Sequence, residues 1–178
     1  MSLYRSQKVA KPCAIALLLV LLFGCALPPQ PMPSKPDWTT QGSGAFHTDR
    51  GAMFQGAGGA EAISNSSLLR AAADNRARDQ LAGLLNQYVS ALFQFAGHDM
   101  QDMETRQAVG TVVRQGLDQA LMTDHWYDEA QKKLYARYVL ELSALKHILA
   151  STPISGTTDA NLAARADQVF EAFVTTAP

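Results

Sequence analysis

Residues 64–97 read SNSSLLRAAADNRARDQLAGLLNQYVSALFQFAG. No proline interrupts the run, and Ala, Leu, Arg and Gln dominate it, all residues that lose little on entering a helix. Leu81, Leu84, Leu85, Tyr88, Leu92 and Phe95 recur at helical spacing and form an apolar stripe. Ser64, Asn65 and Ser66 offer oxygens to the unpaired amides of a first turn. Gly97 suits the position just past the end. The stretch therefore predicts one long helix with a face that must be covered.

The flanking segments predict what covers it. Upstream, DWTTQGSGAF and AMFQGAGGAEAI are short, glycine-broken runs around Asp49-Arg50-Gly51, and they read as a hairpin within residues 37–63. Downstream, a second helix is predicted over 101–122, with Val109, Val112, Val113, Gly116, Leu117 and Ala120 on one stripe. Gly110 and Gly116 weaken it by up to about 1 kcal/mol each relative to Ala, and a small residue on a stripe lets a neighbour pack close.

The period then changes. Leu134, Ala136, Tyr138 and Leu140 alternate with Tyr135, Arg137, Val139 and Glu141, as in a half-buried strand. His125-Trp126-Tyr127 is its expected hairpin partner across the polar turn 128–133. A short helix follows at 143–151, then a loop at 152–158, then an amphipathic helix near 159–175 carrying Leu162, Ala166, Val169, Phe170 and Phe173. The order ββ-α-α-ββ-α-α, with strands and helices in blocks, defines an α+β class: one small domain whose antiparallel sheet carries the long helix. The domain proper is expected over 37–152, with 153–178 as a C-terminal amphipathic helix.

The N-terminus reads as an address. Arg5, Lys8 and Lys11 precede an apolar run from Ala14 to Phe23. The run is roughly ten residues, half of what a spanning helix needs, and suits the core of a secretory signal. It ends in Leu22-Phe23-Gly24-Cys25, which resembles the bacterial lipobox. That resemblance implies cleavage after residue 24, with lipid on the Cys25 sulfur and acylation of the new amino group. Multiple acyl chains hold a protein firmly to a bilayer without spanning it. Ala26, rather than Asp, implies the outer membrane where a host has two membranes. ALPPQPMPSKPD follows, with five prolines in twelve residues. It is expected to be an extended tether over 25–36, and the stretch from Cys25 to Trp38 spans roughly 40 Å at about 3.1 Å per residue.

Composition narrows the partners. Losing residues 1–24 removes Arg5, Lys8 and Lys11 from fifteen basic residues and no acidic one, so twelve face sixteen and the formal charge is −4. No basic stripe forms, which argues against a nucleic-acid partner. Cys13 leaves with the leader and Cys25 carries lipid, so no thiol remains for a disulfide, a metal or a nucleophile.

Chemistry-bearing patterns are sparse. FQGAGGA has Glu61 where the dinucleotide fingerprint needs its last glycine, so Gly56, Gly58 and Gly59 read as turn or close-packing glycines. His98, Asp99, Asp102 and Glu104 are potential divalent-metal groups, but Asp99 or Asp102 serves equally as a helix N-cap. Asp124, His125, Asp128 and Glu129 surround Trp126 in a polar cluster suited to catalysis or simply to a strand end and turn. His47 and His147 have no visible partner. Arg70, Asp74 and Arg78 lie four apart, in line with the apolar stripe of the long helix. They read as a solvated ion-pair row or as a subunit interface. No catalytic, cofactor-binding or metal residue is assigned, and the covalent lipid is the one prosthetic group expected.

FQGAGGAEAISNSSLLRAAADNRARDQLAGLLNQYV, with the step Ala77-Arg78-Asp79-Gln80-Leu81-Ala82, resembles the start of the Lpp-twenty family of small bacterial outer-membrane lipoproteins. DHWYDEAQKKLYARYVLEL is similar to that family's later hairpin, although its turn lacks the Asp-Gly often found there. The resemblance spans roughly Trp38 to Ala150. It implies a lipoprotein on the periplasmic face of the outer membrane that works without catalysis. Members of the flagellar lipoprotein P type assemble into rings or discs, which implies envelope proteins or further copies of the chain as partners, a link to motility, and no small-molecule substrate. Two rival expectations remain open: a binding module that activates a cell-wall enzyme, and a metal-dependent envelope enzyme using His98 or His125.

Overall fold

The structure, a computed structural model, describes residues 34–154, 157–158 and 160–176. Cys25, the leader at 1–24 and most of the tether lie outside the described residues. In chain order the elements are one helical turn α1 (Trp38–Gln41), strands β1 (Gly44–Thr48) and β2 (Gly51–Glu61), the long helix α2 (Ser66–Phe95) and helix α3 (Met103–Gln119). Strands β3 (Leu121–Asp128) and β4 (Lys133–Glu141), helix α4 (Leu142–Ser151), a small ladder of β5 (Pro153–Ile154) with β6 (Thr157–Thr158), and helix α5 (Ala160–Thr176) complete it. The four long strands form one antiparallel sheet in the order β1-β2-β4-β3. The chain is thus an α+β domain with an antiparallel sheet against a long helix.

Helix α2 is fixed at both ends by the residues that the sequence marks. The Asn65 side chain accepts from the Leu68 amide at 3.0 Å, a side-chain N-cap. At the other end Gly97 takes φ +94°, and its amide and that of His98 close back on the carbonyls of Gln94 and Phe93. This is the glycine stop that satisfies otherwise unpaired carbonyls. Asp102 caps α3 through the Thr105 amide at 2.9 Å. The same contact holds the Asp102 carboxyl below its ordinary range.

Two packing regimes share the inner face of the sheet. One end is large and aromatic: Phe54, Tyr88 and Phe170 meet at ring separations of 4.7 to 6.3 Å inside a core of Leu81, Leu85, Leu92, Leu140 and Leu149. The other end is small: Ala60, Ala73, Ala77 and Ala136 form their own cluster. There Gly56 and Gly58 of β2 lie under the backbone of α2 at Ala77 and Leu81. Gly116 similarly brings α3 close to the Leu140 side chain, which a Cβ would meet at 3.2 Å.

Several boundaries differ from expectation. Residues 38–41 form a helical turn rather than strand, because the Thr39 amide and hydroxyl both donate to the Pro36 carbonyl and Gly42, at φ +73°, ends the turn. Helix α3 stops at Gln119, where Ala120 turns extended, and β3 starts at Leu121 rather than at His125. Cross-strand pairing of Leu121 with Val139 and Met122 with Tyr138 outweighs the helical pattern there. The expected loop at 152–158 contains the β5–β6 ladder, and the last helix runs Ala160–Thr176.

Candidate interaction surface

Helices cover one face of the sheet, and alternation along the strands decides what the other face presents. Phe54, Gly58, Ala60, Ala136 and Leu140 turn toward the helices. Their neighbours in the ladder, Met53, Arg137, Tyr135 and Val139, turn away from them, as do Phe46 on β1 and Asp124 and Trp126 on β3. On this outer face Trp126 packs on Tyr135 at 5.8 Å between ring centroids. Lys133 Nζ sits 5.1 Å from the Tyr135 ring centroid. The segment before β1 covers part of the face: Gln55 is wholly buried and donates to the Gly42 carbonyl at 2.6 Å, and Ser43 bonds to Ala57.

Beyond that cover lies an open groove of about 560 Å³, lined by Asp49, Arg50, Met53, Asp124, Arg137 and Glu141 among others. Arg137 reaches Asp124 at 3.6 Å, and its Nε is buried with no hydrogen-bond partner among the described residues. The groove thus mixes both signs of charge over an apolar floor. Both sheet edges are unpaired among the described residues. Along β3, Leu121 is 68% exposed, Met122 43% and Tyr127 38%. Scattered exposed apolar residues are ordinary, but three on one eight-residue edge strand form a sticky border.

In the row Arg70, Asp74, Arg78, the second and third residues bond to other elements rather than to each other. Asp74 binds His125 of β3 at 2.5 Å, and Arg78 binds Asp118 of α3 at 3.2 Å. Arg70 lines a second groove with Leu69, Tyr127, Lys132 and Leu134. The row runs beside the buried line Ala73, Ala77, Leu81, rather than along it. Arg76, not singled out in the sequence, donates to the Gly59 carbonyl at 2.5 Å and ties helix to strand.

The two polar clusters separate. Asp99 accepts from the Gln101 amide, Asp102 caps α3, and the His98 ring lies 5.3 Å from Phe93. In the other cluster, Asp124 faces outward to Arg137 and His125 inward to Asp74. Asp128 accepts from the Ala130 and Gln131 amides in the turn, and Glu129 pairs with Lys132. His47 meets Glu171 at 3.2 Å, and His147 lines a shallow groove with Gln115 and Asp118. Among the described residues no three His, Cys, Asp or Glu side chains converge as a metal site, and no helix is long and apolar enough to cross a membrane. Sequence reasoning missed the reach of β3 and its exposed border. The signal was the apolar pair Leu121-Met122, absorbed into the preceding helical stripe.

The class that fold and surface define is a small α+β domain with one helix-covered sheet face and, among the described residues, two unpaired edges. No family model and no curated protein sequence matches the chain.

Proposed function

We propose that this protein is a lipid-anchored assembly module, tethered by Cys25 to the periplasmic face of the outer membrane, that works through contacts with other proteins and with further copies of itself. The observation that carries this reading is the set of exposed apolar side chains Leu121, Met122 and Tyr127 on β3, an edge strand with one ladder partner among the described residues. The lipobox, the proline-rich tether and the Lpp-twenty resemblance agree with it. Among the polar side chains singled out in the sequence, Asp102 caps a helix and Asp128 holds a turn.

The test is chemical cross-linking in intact cell envelopes, followed by mass measurement of the adducts. Adducts at multiples of the chain's own mass, lost when Cys25→Ala releases the protein from the membrane, are expected. A protein that stays uncrosslinked at its monomer mass overturns the reading, and so does a native protein whose residue 25 carries no lipid.

A further inference from the structure

Each neighbouring pair in the order β1-β2-β4-β3 is antiparallel, so the two edge strands β1 and β3 run in opposite directions. A copy displaced sideways therefore presents its β1 antiparallel to β3 of the first, with the helices of both on the same side of the sheet. We propose that copies of this chain join head to tail through β1 of one and β3 of the next. This deepens the assembly reading above and rests on it.

Length and chemistry match along these edges. Strand β1 has five residues. A register shift between Met122 and Asp124 breaks β3, leaving five regularly paired residues, 124–128. Ala45 and His47 face the helices, Ala45 buried in the core and the His47 ring on Phe170. His125 and Tyr127 face them likewise, toward Asp74 and Leu69. The register that overlaps all five residues and keeps inner face to inner face sets Ala45 against Tyr127 and Phe46 against Trp126. It also sets Thr48 against Asp124, Gly44 against Asp128 and His47 against His125.

The alternative pairing of β3 with β3 of another copy fails on charge. Over the same five residues it places Asp124 opposite Asp128 twice, like charges directly across a ladder. A head-to-tail contact is heterologous, so it propagates into a ring or a filament rather than stopping at two.

Directly opposed residues in an antiparallel pair sit about 4.5–5.5 Å apart at Cα, inside the disulfide range. The test uses the chain as processed and lipidated in the envelope, where neither Cys13 nor Cys25 offers a thiol, with Thr48→Cys in one population and Asp124→Cys in another. Both positions are exposed, and circular dichroism checks that the variants fold. On mild oxidation the mixed populations are expected to give a covalent dimer, neither population alone to link, and a chain carrying both substitutions to give a ladder of dimers, trimers and larger species. No link between the mixed populations, or an Asp124→Cys chain that links to itself, overturns the proposal. If envelope cross-linking still gives multiples of the chain mass while the cysteines stay unlinked, the edge pairing falls and the assembly reading stands. If neither gives multiples, both fall.

Discussion

The backbone of Ala77 occupies the space where a side chain on Gly58 would project: a Cβ there would strike the Ala77 nitrogen and come within 2.6 Å of the Arg76 carbonyl carbon. Gly56 stands in the same relation to Ala77 and Leu81, whose Cβ it would approach to 2.7 Å. Helix α2 thus rests on β2 with almost nothing between their backbones. The obstacle is main chain, which cannot rotate aside. Gly58→Ala is expected to destabilise by about 3 kcal/mol, the upper end of overpacking costs. Urea titration followed by circular dichroism measures it, and a loss below about 1 kcal/mol contradicts the packing argument.

Two helical glycines, Gly83 and Gly110, have no such role. A Cβ at Gly83 in α2 or Gly110 in α3 meets nothing within 4 Å. Each glycine costs its helix backbone entropy with no packing in return. Gly83→Ala and Gly110→Ala should each stabilise by about 0.5–1 kcal/mol, raising Tm by about 2–4 °C. Lower Tm at either position would show that the open space is needed by a contact outside the monomer.

These glycines also mark the limit of what the sequence reveals. The long helix, a cap among Ser64, Asn65 and Ser66, the Gly97 stop, a cap at Asp99 or Asp102 and the alternating strand β4 were legible because each is local: a cap, a stop or a period. The close contact of Gly56 and Gly58 with Ala77 and Leu81 was only half legible. The glycines suggested close packing, but the partner lies about twenty residues on, where nothing in the local pattern names it. Strand β3 was shortened because Leu121 and Met122 fit a helical stripe as well as a strand, and cross-strand pairing decided between them. The charged row on α2 was visible. Its partners His125 and Asp118 come from distant elements that periodicity cannot place.

The Asp74–His125 pair binds the edge strand to the long helix, with the side chains 25% and 12% exposed. Removing the carboxylate strands a nearly buried imidazole without its partner. Asp74→Ala should cost about 1–2 kcal/mol, and a double-mutant cycle with His125→Ala should return a coupling of about 1 kcal/mol. Hydrogen exchange offers a second reading: amides of β3 should lose protection more than those of β2, because β3 has a ladder partner on one side alone. Additive losses would mean that the contact contributes nothing to stability.

Tyr88 joins α2 to the C-terminal helix through both halves of its side chain. Its ring packs on Phe54 at 4.7 Å and on Phe173 at 5.7 Å, and its hydroxyl donates to the Ala166 carbonyl at 2.6 Å. Tyr88→Phe keeps the ring and leaves that buried carbonyl unpaired, at an expected cost of about 1–2 kcal/mol near neutral pH. Alkaline titration then separates the hydroxyl from the ring. Burial, with the charge of Asp167 adding to it, holds the Tyr88 phenol well above its ordinary value of 10.0. The unfolded chain therefore gives up this proton near pH 10 while the folded chain keeps it. The stability linked to the raised value is complete below about pH 10 and declines as the pH climbs, by about 1.4 kcal/mol per unit. Tyr88→Phe has no proton to lose there, so its deficit against the native protein should shrink between pH 10 and 11 and nearly vanish at pH 11. Urea midpoints for both proteins across pH 8 to 11 decide the matter. A deficit that stays constant over that span would show that the hydroxyl is reached by water and that α2 and the C-terminal helix are not sealed around it.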